Sequence, residues 1–323
     1  SFVGHSPMDR RSALAWLTGT GLSLALGGCE APPARLRVGS IVFPGYELMF
    51  LARELGLLDE RQVRLVELYS NTDTMRALAA GQLEAAGLTL DEMLSMRADG
   101  VDLRVIAVLD LSAGADVVLA RAPVTLATLA GKRIGAEDGA TGAIMLNALL
   151  TTAGLTLDKV HKVPITLDRS EEFFNNGRID VVVTAEPWAA RLEKGGAQRI
   201  FDSAAIAGRV VDVLVARSDA LGPNATALKR LVEAHFLALA HLQAQSADAS
   251  RRMAPRLQVP APDVMKAFRG LQLPDAAMNR EILRAGGQFD RTSADLQRVM
   301  KDAGLLRDTV GLGGLVDTGF LPS

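Results

Sequence analysis

Side chains able to bind a small molecule surround two similar segments of the 323-residue sequence. The segments read DVVLAR and DVLVAR, and they begin at Asp116 and Asp212. Carboxylates that converge on a cleft favour a ligand that carries an amine or donates hydrogen bonds, and a tryptophan there can stack on a flat ligand. The candidate ligand-binding residues of this group are Asp110, Ser112, Asp116, Glu186, Trp188 and Asp212.

Three of these carboxylates also have a purely structural interpretation. Glu186 could cap the helix that follows it, and Asp116 and Asp212 could be solvated carboxylates at a hinge. We favour the binding role for Asp116 and Asp212, because they occupy equivalent positions in the two segments.

Hydroxyl groups at strand-to-helix junctions form a second group of candidates. Tyr46 could stack on a planar ligand or pack its ring in a turn, and Thr72 is equally open to a binding or a structural role. Thr89 begins a T-x-x-E capping box with Glu92, which by itself could explain both residues. The start of that helix would nevertheless present free N–H groups to a ligand.

The segment Gly139–Gly142 precedes another helix. Its free amides would suit an oxyanion such as sulfonate or carboxylate, so Thr141 and Gly142 are candidates too. The segment lacks the GK[ST] ending of a phosphate-binding P-loop.

Composition and motifs exclude several functions. The 35 Lys and Arg residues nearly balance the 37 Asp and Glu residues, which argues against a nucleic acid or an anionic membrane surface as the main partner. The single cysteine, Cys29, excludes an internal disulfide and a thiolate metal cluster. His235 and His241 would point about 240° apart on one helix, which does not suit a shared metal. We therefore expect no catalytic residue, no metal and no cofactor.

The N-terminal residues are typical of an export signal. Residues 1–7 precede a start at Met8, two arginines follow, and residues 13–28 form an apolar run. The run is shorter than the roughly 20 residues that a membrane-spanning helix needs, so we predict a signal peptide over residues 1–28. The pair Arg10-Arg11 also fits a twin-arginine signal, which leaves the export route open.

The signal ends in Leu26-Gly27-Gly28-Cys29, which resembles a bacterial lipobox. This motif predicts a lipid anchor on Cys29 and a tether over residues 29–35, with an ordinary buried cysteine as the alternative. We then expect a periplasmic or cell-surface location, with membrane contact through the anchor alone.

An internal repeat predicts the architecture. A shift of 96 residues aligns Arg37-Val38-Gly39 with Arg133-Ile134-Gly135, and Asp116 with Asp212. Predicted strands and helices alternate within each repeat, which is typical of a mostly parallel sheet covered by helices on both faces. Such sheets bind ligands beyond the carboxyl ends of their strands.

The repeat divides the chain into two predicted lobes. Lobe 1 comprises residues 36–115 and 218–323, and lobe 2 comprises residues 122–209. Residues 116–121 and 210–217 are predicted to cross between the lobes and to form a hinge.

At this point the chain resembles the extracytoplasmic solute-binding proteins of ABC importers, in the nitrate, sulfonate, taurine and thiamine-precursor group. The resemblance implies a type II periplasmic-binding-protein-like fold, lobes that close on a small solute, permease and ATPase partners, and a monomer. The segments that carry it are Arg37-Val38-Gly39, Pro44-Gly45-Tyr46, Ala77-Leu78-Ala79-Ala80-Gly81-Gln82, Gly100-Val101-Asp102-Leu103, Leu129-Ala130-Gly131-Lys132, Ala153-Gly154-Leu155 and Glu186-Pro187-Trp188.

Two other functions stay open at the level of sequence. The same group includes a thiamine-pyrimidine synthase that uses its own lysine and histidine with a cysteine-rich loop, and this chain has no such loop. A ligand sensor without transport is the second alternative. Because the expected cleft is richer in carboxylates than in arginines, we favour an amine-bearing or nitrogen-heterocyclic solute over nitrate.

Overall fold

The computed structural model describes residues 35–323, so the predicted signal peptide and the lipidation site at Cys29 lie outside the described residues. The strands of the described part are β1 Leu36–Ser40, β2 Val63–Glu67, β3 Ala85–Thr89, β4 Leu103–Ser112, β5 Asp116–Ala120, β6 Arg133–Ala136, β7 His161–Pro164, β8 Val181–Ala185, β9 Gln198–Asp202, β10 Val211–Arg217 and β11 Leu271–Gln272.

The α-helices are α1 Glu47–Glu54, α2 Asn71–Ala79, α3 Leu90–Ala98, α4 Thr141–Ala153, α5 Ser170–Asn175, α6 Trp188–Lys194, α7 Ser218–Leu221, α8 Ala225–Ala244, α9 Ser246–Leu257, α10 Val264–Ala267, α11 Ala276–Ile282 and α12 Gln288–Asp302. Within residues 35–323, no helix is both long and apolar enough to cross a membrane.

The strands form two sheets. The first has the order β11-β4-β10-β3-β1-β2, and the second has the order β7-β6-β8-β5-β9. In the first sheet β1 is parallel to β2 and β3, whereas β10 runs antiparallel to its neighbours β3 and β4. In the second sheet β6 is parallel to β7 and β8, and β5 is antiparallel to β8 and β9. Strands β1 to β4 therefore share one direction, as do β6 to β9, so the predicted pair of mostly parallel sheets is confirmed.

We define lobe 1 as the first sheet with the helices packed on it, and lobe 2 as the second sheet with its helices. Helices α8 and α9 pack on α1, and α12 packs on α3, so the C-terminal helices cover lobe 1. Helix α4 lies against the strands of lobe 2.

The structure places the crossings between lobes just before the predicted ones. Residues 116–120 form strand β5 of lobe 2, and residues 211–217 form strand β10 of lobe 1. Both segments are almost wholly buried, as expected of apolar strands inside a sheet covered on both faces. The chain passes between the sheets at residues 113–115 and 203–210, so the final strand of each repeat lies in the sheet of the other repeat.

Local sequence explains where the helices at the cleft begin and where one of them ends. The Ser70 side chain accepts a hydrogen bond from the Asp73 amide and so caps α2. Thr89 and Glu92 form the predicted capping box of α3. Helix α4 ends at Gly154, which adopts the left-handed conformation expected of a helix-ending glycine.

Candidate functional site

Three strands of lobe 1 bring a row of polar residues to one edge. Asp212 is the second residue of β10 and is paired in register with Thr89 at the end of β3 and with Asp110 near the end of β4. Because β10 is antiparallel to both neighbours, its start lies beside their carboxyl ends. Tyr46 follows β1, and its hydroxyl donates a hydrogen bond of 2.5 Å to Asp212 Oδ1.

The carboxyl groups of this row, and Asp116 of lobe 2, have few partners: Tyr46 donates to Asp212, and Asp110 and Asp212 lie close enough to share a proton between their side chains. Apart from that contact between Asp110 and Asp212, no other group of residues 35–323 donates to either side-chain oxygen of Asp110 or to the Oδ2 atoms of Asp116 and Asp212. Asp110 is fully buried and Asp212 is 2% exposed. Buried charges in proteins are ordinarily paired, so these oxygens remain available to a bound donor.

Burial changes the ionisation of these groups. It raises the pKa of Asp110 to about 7 and the pKa of Asp116 to about 6. Burial, reinforced by the charge of Asp110, raises the pKa of Asp212 well above its ordinary value. The unbound site therefore holds part of its carboxylates in the protonated form near neutral pH.

A second group of contacts joins the two lobes directly. The Thr141 hydroxyl at the start of α4 donates to Thr89 Oγ1 of lobe 1 at 2.7 Å. The Glu92 carboxylate of α3 accepts hydrogen bonds from the Thr89 amide at 2.9 Å and from the Thr141 amide at 3.3 Å. Glu137, which follows β6 of lobe 2, accepts from the Thr72 hydroxyl of lobe 1 at 3.0 Å. The lobes thus touch across the cleft.

Little space remains between the lobes at this point. A cavity of about 30 Å³ lies beside Asn71, Asp116, Glu137, Thr141 and Gly142, which is room for about one or two water molecules. The side-chain oxygen of Asn71 is buried and accepts no hydrogen bond from the described residues. Asn71 and Asp116 therefore offer two free acceptors to this small chamber.

A wider chamber of about 190 Å³ lies farther out between the lobes. It has Tyr69 of lobe 1 and Trp188 of lobe 2 in its lining, together with Asp168 and Arg191. The exposed fraction of Tyr69 is 74%, which is unusual for so large a side chain. Two aromatic rings in one chamber can hold a flat ligand by stacking.

The predicted site residues fall into distinct places. Tyr46, Thr89, Asp110 and Asp212 form the row of lobe 1, and Thr72 meets Glu137 from the other lobe. Asp116, Thr141, Gly142 and Trp188 line the two chambers.

Ser112 and Glu186 lie apart from both chambers. The Ser112 hydroxyl contacts Ser203 Oγ at 2.8 Å at the crossing between the lobes. Glu186 accepts a hydrogen bond of 3.2 Å from the Ala190 amide near the start of α6. This contact resembles the helix-capping role that was its structural alternative. It also lines a cavity on the hinge side with Gly114 and Arg199.

The sequence interpretation missed four polar residues of the cleft: Tyr69, Asn71, Asp91 and Glu137. Asp91 is buried, and its burial raises its pKa to about 6. Glu137 directly follows strand β6, so the rule that ligands bind beyond the carboxyl ends of parallel strands could have identified it. Asn71 lies at the start of α2, where the first amides of the helix have no partner within it.

A model of the NMT1-like family matches residues 30–258, more than two thirds of the chain. Comparison with curated proteins gives no match in sequence. The predicted resemblance to the nitrate, sulfonate and taurine binding group is confirmed by this match together with the following structures.

Solved structures share the two-lobed fold. The alkanesulfonate-binding protein SsuA from Xanthomonas axonopodis pv. citri, bound to MOPS, has a TM-score of 0.71 at 19% identity and covers 89% of this chain and 99% of its own. A zinc-bound ligand-binding component of an ABC-type import system from Staphylococcus aureus has a TM-score of 0.74 at 13% identity, over 88% of this chain and 97% of its own. The desulfurization enzyme DszB has a TM-score of 0.62 at 20% identity, over 89% of this chain and 97% of its own. The shared fold thus serves binding proteins and an enzyme.

Proposed function

This chain belongs to the NMT1-like family, and on that premise we propose that it is the extracytoplasmic solute-binding component of an ABC importer. A small organic solute would bind between the lobes and contact both of them. Because such a solute makes its full set of contacts only when the lobes are closed, it shifts the population toward the closed form. The permease and ATPase subunits would then receive the solute from that form.

The class of solute follows from the charge of the cleft. Asp110, Asp116 and Asp212 are paired with no arginine, lysine or histidine of the described residues. An amine or a nitrogen heterocycle that donates hydrogen bonds would satisfy their free oxygens. This observation, three buried carboxyl groups without a cationic partner among the described residues, carries the proposal of an amine-bearing solute.

The first amino acids of the chain complete the proposal. The lipobox-like segment ending in Cys29 supports export and lipid anchoring at a periplasmic or cell-surface location. The resemblance to solute-binding proteins of ABC importers supports a monomer. Cell fractionation tests the anchor.

An enzyme remains the alternative class, because DszB shares the fold. Among the described residues, the polar lining of the small and the wider chamber consists of carboxylates, hydroxyls, side-chain amides and two arginines, without histidine, lysine or cysteine. Lys266 lines the hinge-side cavity instead. Such a lining supplies acceptors for binding more readily than a nucleophile activated by a neighbouring base.

A thermal-shift screen tests the class of solute. The compounds are aminopyrimidines, related nitrogen bases, taurine, alkanesulfonates and nitrate. At about 100 times its Kd, a solute adds about 2.7 kcal/mol to the free energy of unfolding, which raises Tm by several degrees. We expect the nitrogen bases to stabilise the protein, and stabilisation by nitrate alone would contradict an amine-bearing solute.

The variant Asp212→Ala links that binding to the site. Loss of a hydrogen bond to a charged group is worth about 1.5–3 kcal/mol, so we expect affinity for the stabilising base to fall by about tenfold or more. Asp219→Ala removes an exposed carboxylate of lobe 1 and is the matched control. Unchanged affinity in Asp212→Ala would remove this residue from the site.

A further inference from the structure

Two carboxylates cross the cleft in opposite directions. Glu92 of lobe 1 reaches the amide of Thr141 at the first turn of α4 in lobe 2, at 3.3 Å. Glu137 of lobe 2 reaches the hydroxyl and the amide of Thr72 at the first turn of α2 in lobe 1, at 3.0 and 3.4 Å. Glu92 is fully buried and Glu137 is 6% exposed, so both contacts are shielded from solvent.

The starts of these two helices are where an anion would bind. The first amides of a helix point outward without intrahelical partners, and the helix dipole adds positive potential there. Sulfates, phosphates and carboxylates are bound at such positions. In this protein each position is already occupied by a carboxylate of the opposite lobe.

We propose that Glu92 and Glu137 act as built-in acceptors at these two helix starts, where they hold the lobes together without a solute and exclude oxyanion solutes from the cleft. The exclusion of oxyanions rests on the proposed solute-binding function, whereas the contact between lobes does not. An entering sulfonate would have to displace a buried carboxyl group from these donors, and the displaced group would then stay buried without its hydrogen bonds.

The remaining free groups point to the same selectivity. Asn71 Oδ1 and Asp116 Oδ2, both beside the small chamber, are acceptors without a donor among residues 35–323. An amine can bind these acceptors and leave both glutamate contacts intact. Glu92 and Glu137 are therefore specificity-determining residues as well as contacts between the lobes.

The variant Glu92→Gln tests the first contact selectively. The side-chain amide oxygen of Gln can still accept from the Thr89 amide and so keep the capping box. Its NH₂ group then faces the Thr141 amide, and because both groups are donors, the hydrogen bond between the lobes is lost. Glu137→Ala frees the start of α2. The experiment compares the wild type, each single variant and the double variant, so it does not depend on the double variant folding.

Binding of ethanesulfonate is measured by isothermal titration calorimetry. We expect the affinity of each variant to be at least about tenfold higher than that of the wild type, or than the detection limit where the wild type shows no binding, equivalent to about 1.4 kcal/mol. Glu172→Gln removes an exposed carboxylate of lobe 2 and controls for net charge; it should behave as the wild type. Ethanesulfonate binding to the wild type as tight as to the variants would overturn the proposal.

Small-angle X-ray scattering without any solute tests the contact between lobes independently. We expect a larger radius of gyration for the variants than for the wild type and for Glu172→Gln. An unchanged radius in both single variants would overturn the role of the glutamates in holding the lobes together. Failure of the solute-binding function would appear differently, as no stabilisation of the wild type by any compound of the thermal-shift screen.

Discussion

Asp110 occupies its position because Gly45 has no side chain. A β-carbon at Gly45 would overlap Asp110 Oδ2 and would also approach the Phe43 ring. The same close packing holds Tyr46, since a β-carbon at Gly87 would lie 2.9 Å from its ring. Gly45 and Gly87 thus leave the space that Asp110 and Tyr46 occupy in the row.

The raised pKa values predict how stability depends on pH. The folded protein holds protons on Asp110 up to about pH 7 and on Asp116 up to about pH 6, whereas the ordinary value for both is 3.8. The folded state therefore binds more protons than the unfolded state between about pH 4 and pH 7, and its free energy of unfolding falls as pH rises through this window. Urea unfolding at several pH values measures the effect.

The variant Asp110→Asn assigns that dependence to the cleft. An amide cannot ionise, so we expect the decrease in unfolding free energy between pH 4 and pH 7 to become shallower. Asp295→Asn alters an exposed carboxylate of α12 and should keep the slope of the wild type. An identical slope in Asp110→Asn and the wild type would show that Asp110 does not titrate in this range.

At the scale of elements, an irregularity in β4 aligns Asp110 with Asp212. The register passes from Asp212 opposite Asp110 to Val213 opposite Val108, so Leu109 has no partner on β10. Strand β11 covers only Leu111 and Ser112 of β4, which leaves Val108 without a backbone partner on that side. Asn279 of α11 fills this gap, because its side chain accepts from the Val108 amide at 2.7 Å and donates to the Val108 carbonyl at 3.0 Å.

Removal of this amide should destabilise lobe 1. Asn279→Ala leaves two buried backbone groups of Val108 unsatisfied, and each such group costs about 1–3 kcal/mol. We expect the free energy of unfolding to fall by at least about 2 kcal/mol, measured by urea denaturation. Asn175→Ala replaces an exposed asparagine at the end of α5 and should stay within about 0.5 kcal/mol of the wild type. A similar small change in Asn279→Ala would mean that water replaces the amide.

At the scale of the molecule, the first crossing between lobes rests on a glycine of lobe 1. The Ala113 amide donates to the Gly270 carbonyl at 2.7 Å. Gly270 has a φ of +81°, and a β-carbon there would lie 2.6 Å from the carbonyl carbon of Gly114. Backbone therefore packs directly on backbone where the chain leaves lobe 1.

Gly270→Ala should lower the free energy of unfolding more than the same substitution at a glycine with a similar φ elsewhere. Gly208, in the other crossing, has a φ of +82°, and a β-carbon there would meet no atom within 4 Å. Gly208→Ala therefore meets only the strain of a left-handed residue, about 1–2 kcal/mol. Gly270→Ala adds a backbone overlap and should lose at least about 1 kcal/mol more. Urea denaturation of both variants measures the difference, and equal losses would show that the crossing shifts freely.

The sequence by itself determined the repeat and, through it, most of the architecture. Strands β3 and β8 are separated by the predicted 96 residues, and so are Asp116 and Asp212 at the starts of the corresponding segments. Alternating apolar strands and capped helices are local patterns, because burial on two faces and the capping of free amides each involve neighbouring residues. These patterns were sufficient to predict two mostly parallel sheets and to name Asp110 and Asp212 as site candidates, whereas their pairing across β4 and β10 came from the fold.

Only the tertiary structure decided which residues meet across the cleft. Glu137 contacts Thr72 and Glu92 contacts Thr141 over separations of 65 and 49 residues, and no local periodicity encodes such pairs. The exchange of β5 and β10 between the sheets has the same origin, since an apolar strand fits either sheet until its neighbours are in place. The sequence could therefore predict the capping box of Glu92, whereas only the fold showed that Glu92 also accepts from the Thr141 amide of lobe 2.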